Sequence, residues 1–68
     1  MDNRIRDLRI KNNLTQEQLS KKVGVSRQSI VAIERGNYNP SLELAFKIAK
    51  EFGLPIEEVF IFEEGEEK

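Results

Sequence analysis

TQEQLSKKVGVSRQSIVAIER, residues 15–35, is the stretch of the chain that decides the fold. Thr15 and Gln18 have the spacing of a capping box, in which each side chain bonds the free backbone N–H of the other residue at the start of a helix. Gly24 stands where a helix favours a left-handed C-terminal cap, and Ser26 is a preferred N-cap for a second helix. The stretch therefore predicts two short helices joined by a tight glycine turn.

Apolar spacing predicts a further helix on each side of this stretch. Ile5 and Leu8 share one face of a first helix over about residues 2–12. Ser41 is placed to cap a fourth helix over about residues 42–52, whose apolar residues cover a wider arc than an ordinary surface helix needs. We therefore expect the fourth helix to lie centrally and to contact several neighbours.

The last part of the sequence predicts one more short helix and then a tail. Pro55 fits the first turn of a fifth helix that ends near Phe60, because the missing N–H of proline is not needed there. Residues 63–68 are mostly acidic and are predicted to be solvated. No segment has the pattern of a strand or a repeat. We therefore predict an all-α, compact five-helix domain over residues 1–62.

The composition restricts the chemistry of the chain. Its 68 residues suit one small domain and include neither cysteine nor histidine. Disulfides, thiol nucleophiles, imidazole catalysis and metal sites built on these residue types are thereby excluded. The carboxylate pairs Glu57-Glu58 and Glu63-Glu64 are adjacent in sequence and do not converge on one substrate, so we interpret them as solvated charges. We expect no enzyme activity, no cofactor and no metal.

The sequence carries no sign of export or membrane insertion. No apolar run approaches the roughly 20 residues of a membrane span, and the first residues lack the apolar core of a signal peptide. A cytoplasmic location is therefore expected. No segment suggests a sensor for a small-molecule effector.

The formal net charge of −1 conceals an asymmetry along the chain. Residues 1–35 carry 8 basic and 4 acidic side chains, whereas residues 36–68 carry 3 basic and 8 acidic ones. The first half can therefore present a basic face to phosphate, although drift of surface charge would produce the same asymmetry.

The helix predicted over residues 26–35 has two different faces. Its inward face carries Ile30 and Ile33, and its outward face carries Arg27, Gln28, Val31, Ala32 and Arg35. Arginine and glutamine can read guanine and adenine edges in the major groove, and small apolar neighbours allow close approach or contact with a thymine methyl group. An ordinary solvated face is the alternative, because arginine and glutamine are also good helix formers.

At this point the order and spacing of the motifs closely resemble the Cro/C1 (XRE) helix-turn-helix family. The resemblance covers about residues 3–60 and rests on Leu14 to Leu19, Val23 to Ile30, Ile33 to Gly36 and Pro40 to Leu42. It implies a lambda-repressor-like DNA-binding domain with helix 26–35 in the major groove. The implied function is sequence-specific binding of double-stranded DNA as a small transcriptional regulator, acting by repression.

The resemblance also implies roles for single residues. Base contacts are expected from Arg27, Gln28, Val31 and Ala32. Contacts with the DNA backbone are expected from Gln16, Ser26, Arg35, Asn37, Tyr38 and Asn39. Gln16 is expected to bond a phosphate and to brace the third helix near Arg27, and Tyr38 has the alternative of packing over the fourth helix. Arg9 and Glu34 are expected to form a buried ion pair, whereas Ser20 departs from the usual alanine of the family.

The sequence leaves two alternatives open, one for the dimer seam and one for the class of partner. The family reads paired half-sites, which implies a homodimer, and the apolar run Phe60, Ile61 and Phe62 is the expected seam unless it is ordinary core. The alternative function is a helix-turn-helix antitoxin, or another protein-binding module, that holds a partner protein.

Overall fold

The computed structural model describes residues 1–62, and the predicted acidic tail at 63–68 lies outside the described residues. The described elements are β1 (Asp2–Asn3), α1 (Ile5–Lys11), α2 (Gln16–Val23), α3 (Arg27–Glu34), α4 (Leu42–Phe52), a 3-10 helix (Ile56–Glu58) and β2 (Phe60–Ile61). Within this range, no helix is both long enough and apolar enough to span a bilayer.

The predicted caps of α2, α3 and α4 are confirmed. Thr15 Oγ1 accepts from the Gln18 backbone N–H at 3.0 Å, and Gln18 Oε1 accepts from the Thr15 N–H at 2.9 Å. Ser26 and Ser41 each accept a hydrogen bond from the backbone N–H three residues further on. These bonds satisfy donors that a helix start leaves free, so local chemistry fixes where the three helices begin.

The expectation of a strand-free chain is wrong, and the five-helix count is not confirmed. β1 and β2 form an antiparallel pair in which Asp2 lies opposite Ile61 and Asn3 lies opposite Phe60. The segment predicted as a fifth helix contains only one 3-10 turn, Ile56–Glu58. The N–H of Arg4 donates to the carbonyl of the fully buried Val59 at 2.8 Å, which draws this segment along the N-terminal strand instead of into further helical turns.

The core is a single apolar cluster to which every helix contributes. Its largest fully buried side chains are Ile5, Leu19, Ile30, Ile33, Ile48 and Val59. Full burial of one such side chain contributes about 1.5–3 kcal/mol, so this cluster is the main stabilising feature of so short a chain. Because Ile30 and Ile33 both point inward, the opposite side of α3 is left at the surface.

The apolar surface of α4 is only partly used by this core. Ala45, Ile48 and Ala49 are buried, whereas Leu42 is 68% and Phe46 is 55% exposed. The predicted seam divides in a similar way, because Phe60 is buried in the core while Ile61 is 39% and Phe62 is 70% exposed. Phe60 is therefore core, whereas its two neighbours and the outer side of α4 leave apolar groups at the surface.

Candidate nucleic-acid interface

The start of α3 is an open surface. Ser26 has an extended backbone and uses its hydroxyl to cap the helix, with Ser29 Oγ at 3.1 Å. Arg27 and Gln28 follow as the first two helical residues, and both are exposed. Their side chains make no hydrogen bond within residues 1–62, so the donors and acceptors needed to read base edges are unoccupied there.

Val31 and Ala32 lie one turn further along α3 and are partly exposed. Their short side chains put little bulk between the helix backbone and an approaching surface. The structure thus brings the four predicted base-contacting residues together on the side of α3 opposite Ile30 and Ile33. This arrangement matches the width of a major groove, which admits one α-helix.

The end of α3 is held by a buried ion pair, as predicted. Arg9 Nε donates to Glu34 Oε2 at 2.6 Å, and Arg9 Nη2 donates to Glu34 Oε1 at 3.2 Å. The remaining guanidinium nitrogen, Nη1, donates to the Leu14 carbonyl at 2.9 Å. The two charged side chains are only 11% and 7% exposed. This bidentate arrangement fixes α3 to α1 and to the loop before α2.

Gln16 braces α3 at a different place from the one expected. Its Nε2 donates to Glu34 Oε1 at 3.2 Å, so the contact is at the end of α3 and not near Arg27. The physical reason is that the Glu34 carboxylate offers a charged acceptor, which attracts an amide donor more strongly than a neutral group does. Gln16 stays half-buried at the first position of α2, where its second amide hydrogen is still available for a phosphate.

The loop after α3 leaves the helix through a Schellman turn. Gly36 has φ +81°, its N–H donates to the Ile33 carbonyl at 2.9 Å, and the Asn37 N–H donates to the Ala32 carbonyl at 3.1 Å. Asn37, Tyr38 and Asn39 then lie at the surface, as does Arg35 before the turn. Tyr38 is 52% exposed, which favours a side chain that is accessible to a DNA backbone over one that is packed closely on α4.

Two arginines at this surface have no acidic partner among the described residues. Arg27 and Arg35 flank α3 and form no ion pair within the described part of the chain. Three of the lysines, in contrast, pair with glutamates: Lys21 with Glu17, Lys22 with Glu51 and Lys47 with Glu43. Within residues 1–62, no carboxylate therefore offsets the charge of the two arginines, and the same holds for Arg6, Lys11 and Lys50, whereas a glutamate lies beside each of the three paired lysines.

Sequence reasoning missed Asn3. Its Nδ2 donates to the Ile33 carbonyl at 2.9 Å, and its Oδ1 accepts from the Ile5 N–H at 3.1 Å. The residue type was the available signal, because an asparagine side chain readily bonds the backbone N–H two residues further on, here that of Ile5. The long-range bond to α3 has no counterpart in the local pattern.

A capped helix, a tight turn at Gly24 and a second helix with an exposed start define a helix-turn-helix protein. A family model described as helix-turn-helix matches residues 5–59. The chain therefore belongs to the helix-turn-helix family, and the resemblance to its Cro/C1 (XRE) type is confirmed. This family is a class of DNA-binding regulators and not of enzymes, in agreement with the expectation from composition.

Known relatives and structures agree with this assignment. An uncharacterised HTH-type transcriptional regulator of Methanocaldococcus jannaschii is 61% identical over 97% of this chain and 100% of its own length. The restriction-modification controller protein C.AhdI of Aeromonas hydrophila superposes with a TM-score of 0.75 at 34% identity, covering 81% of this chain and 83% of C.AhdI. Bacillus thuringiensis PlcR, solved with the peptide PapR7 and DNA, gives a TM-score of 0.73 at 32% identity over 88% of this chain and 22% of PlcR.

Proposed function

We propose that the protein is a homodimeric transcriptional regulator that inserts α3 into the major groove of double-stranded DNA and represses the genes next to its site. The observation that carries this proposal is the exposed, unoccupied start of α3 on a helix whose far end is fixed by the Arg9 and Glu34 ion pair. A fixed helix with free polar side chains at its start is the geometry of direct base reading.

Base reading is assigned to the start of α3. Arg27 bonds a guanine edge and Gln28 bonds an adenine edge, while Val31 and Ala32 permit close approach and touch thymine methyl groups. The exposed positions of Arg27 and Gln28 support this division. Since they lie next to each other at one helix end, they read one or two base pairs in each half-site.

Contacts with the sugar-phosphate backbone of DNA are assigned to residues around both ends of the helix-turn-helix. They are Gln16, Ser26, Arg35, Asn37, Tyr38 and Asn39. Gln16 lies at the start of α2, where the free N–H groups and the helix dipole favour a phosphate. The exposed loop at residues 37–39 supports contact with the sugar-phosphate backbone, which positions the protein without reading sequence.

Two copies are needed for tight operator binding, since a single module of this size buries little surface on DNA. The exposed side chains Ile61 and Phe62, together with Leu42 and Phe46 on α4, supply the apolar surface for a second copy. Sedimentation tests this assignment. Phe62→Glu should shift the protein toward monomer, whereas the control Ile10→Glu, on an exposed apolar side chain of α1, should leave the dimer intact. A wild-type monomer at high micromolar concentration contradicts the homodimer.

Selection from random duplex DNA tests the proposed function as a whole. Wild type should enrich one motif over random DNA, and Gln28→Ala should relax that motif at one or two positions per half-site. Gln16→Ala serves as the contrast, because it should weaken binding to all sequences and leave the motif unchanged. No motif with wild type would instead favour a protein-binding module such as an antitoxin. With a motif in hand, a reporter gene downstream of it should be less transcribed when the protein is present.

A further inference from the structure

We infer that Asn3 is a positioning residue for DNA binding: it holds the loop at residues 36–39 in place without touching DNA. The inference rests on the proposed function, because it concerns how that loop reaches the sugar-phosphate backbone. Asn3 lies in β1, is half-buried and contacts three separate parts of the fold. These contacts are its backbone pairing with Phe60, its acceptance from the Ile5 N–H and its donation to the Ile33 carbonyl. The same Nδ2 also donates to the carbonyl of the neighbouring Met1 at 3.4 Å.

The Ile33 carbonyl is the point at which Asn3 acts on the loop. It accepts from Asn3 Nδ2 at 2.9 Å and from the Gly36 N–H at 2.9 Å, so both of its lone pairs are used. The second of these bonds belongs to the Schellman turn that directs the chain into the loop. Asn3 therefore joins the turn to the N-terminal strand, and the direction in which residues 37–39 leave α3 is fixed against the rest of the fold.

This turn needs an external support more than an ordinary helix end does. A Schellman turn is commonly stabilised by an apolar contact from the residue two positions after the cap. Here that residue is Asn37, which is polar and exposed, so the contact is not available. The shorter of two N-terminal hydrogen bonds to this turn, from Asn3 Nδ2 to the Ile33 carbonyl at 2.9 Å, takes its place, beside the bond from the Met1 ammonium to the Gly36 carbonyl at 3.3 Å.

The ends of α2 and α4 provide a comparison within the same chain. Each also ends at a left-handed glycine, Gly24 after α2 and Gly53 after α4. Within residues 1–62, the carbonyls at those two ends receive backbone N–H groups from the following residues and no side-chain donor from a distant element. Unlike these two ends, the end of α3, which leads into the proposed DNA-contacting loop, is tied to the N-terminal residues. Asn3 donates to the Ile33 carbonyl from 30 positions away, and the Met1 ammonium donates to the Gly36 carbonyl at 3.3 Å.

Asn3→Asp removes the donor of this side chain and keeps its acceptor. A carboxylate can still accept from the Ile5 N–H, but it can donate neither to the Ile33 carbonyl nor to the weaker partner at Met1. Asn12→Asp is the matched control. Asn12 Nδ2 donates to the Leu8 carbonyl at 2.7 Å, so this variant loses the same kind of bond and gains the same charge at the end of α1.

The experiment measures binding of each variant to the motif selected by wild type, over a range of salt concentrations. Asn3→Asp should lose about tenfold in affinity on every sequence and should lower the salt slope by about one phosphate contact, with the motif unchanged. In the free protein, the Gly36 and Asn37 amides should exchange about tenfold faster with solvent. Asn12→Asp should keep the wild-type salt slope and the wild-type exchange at these two amides.

Equal salt slopes for Asn3→Asp and Asn12→Asp, or unchanged exchange at Gly36 and Asn37, would overturn the positioning role while leaving DNA binding established. A wild-type protein that selects no motif defeats the proposed function and this inference together. If Asn3→Asp fails to fold, Asn3→Ser replaces it and is judged by the same two measurements. Its shorter hydroxyl can accept from the Ile5 N–H without adding charge but does not extend to the Ile33 carbonyl.

Discussion

Arg27 and Gln28 at the start of α3 are exposed and bonded to nothing else within residues 1–62, whereas Glu34 at its end is 7% exposed and bonded to both Arg9 and Gln16. The contrast separates two properties that one helix has to combine. We expect substitution at the start to change which bases the helix reads, and substitution at the end to change whether the helix is held in place. Substitutions at each end of α3 measure how complete this separation is.

The largest effect on stability is expected from breaking the Arg9 and Glu34 ion pair at the end of α3. Glu34→Gln removes one partner of a nearly buried ion pair and leaves the Arg9 guanidinium without a countercharge, which costs about 3–5 kcal/mol of unfolding free energy. For a small domain this is a large share of the total stability. Urea denaturation checks it, and an unchanged midpoint would show that the ion pair does not hold α3. The matched variant at the start of α3, Gln28→Glu, should leave the midpoint of urea denaturation nearly unchanged.

The second-largest effect is a loss of DNA affinity on substitution at the start of α3. Arg27→Ala or Gln28→Ala should reduce affinity for the selected site by about 1–3 kcal/mol, because one base-edge contact is lost in each case. Unfolding free energy should change by less than about 0.5 kcal/mol, since both side chains are on the surface. Titration of the selected and a scrambled duplex provides the measurement. Equal losses of affinity on both duplexes would show that these residues contact the sugar-phosphate backbone and not the bases.

A smaller and uniform effect is expected in the loop. Asn37→Ala removes an exposed side chain but keeps the backbone N–H that closes the Schellman turn, so only a phosphate contact is lost. Affinity should fall by about 1 kcal/mol on every sequence, with a salt slope lower by about one. A change of preferred motif in a repeated selection would contradict the assignment.

The smallest effect concerns the departure from the family at Ser20. This side chain is 3% exposed, and its hydroxyl donates to the Glu17 carbonyl of its own helix at 2.7 Å, so the polar group is satisfied. Ser20→Ala should therefore be neutral or stabilising by up to about 0.5 kcal/mol, because alanine is the better helix former. Thermal unfolding checks the sign, and a clear loss of stability would show that the hydroxyl matters for packing.

Features of the fold that depend on local chemistry were predictable from the sequence. The caps at Thr15, Ser26 and Ser41 involve residues three positions apart, so their pattern is visible in the chain itself. The strand pair was not predictable. Asp2 and Asn3 have low strand propensity, and they form a ladder only because β2 lies beside them in the folded chain.

The same distinction applies to the candidate site. The outward face of α3 follows from helical periodicity, and the Arg9 and Glu34 pair followed from the family resemblance. The partner of Gln16 did not, because the end of α3 had to be placed against the start of α2 before Glu34 could be identified as the nearest acceptor. Asn3 was missed for a related reason, since its bond to Ile33 spans 30 positions.

The pairing of β1 with β2 also has a consequence for the order of folding. It joins Asp2 to Ile61, and closing a loop of about 60 residues carries an entropy cost that grows with loop length. The helices and the contacts between α2 and α3 involve residues closer in sequence and form faster. A folding chain can therefore bring Arg9 to Glu34 and Asn3 to Ile33 before Asp2 meets Ile61. The end of α3 is then fixed first, and the strand ladder closes last.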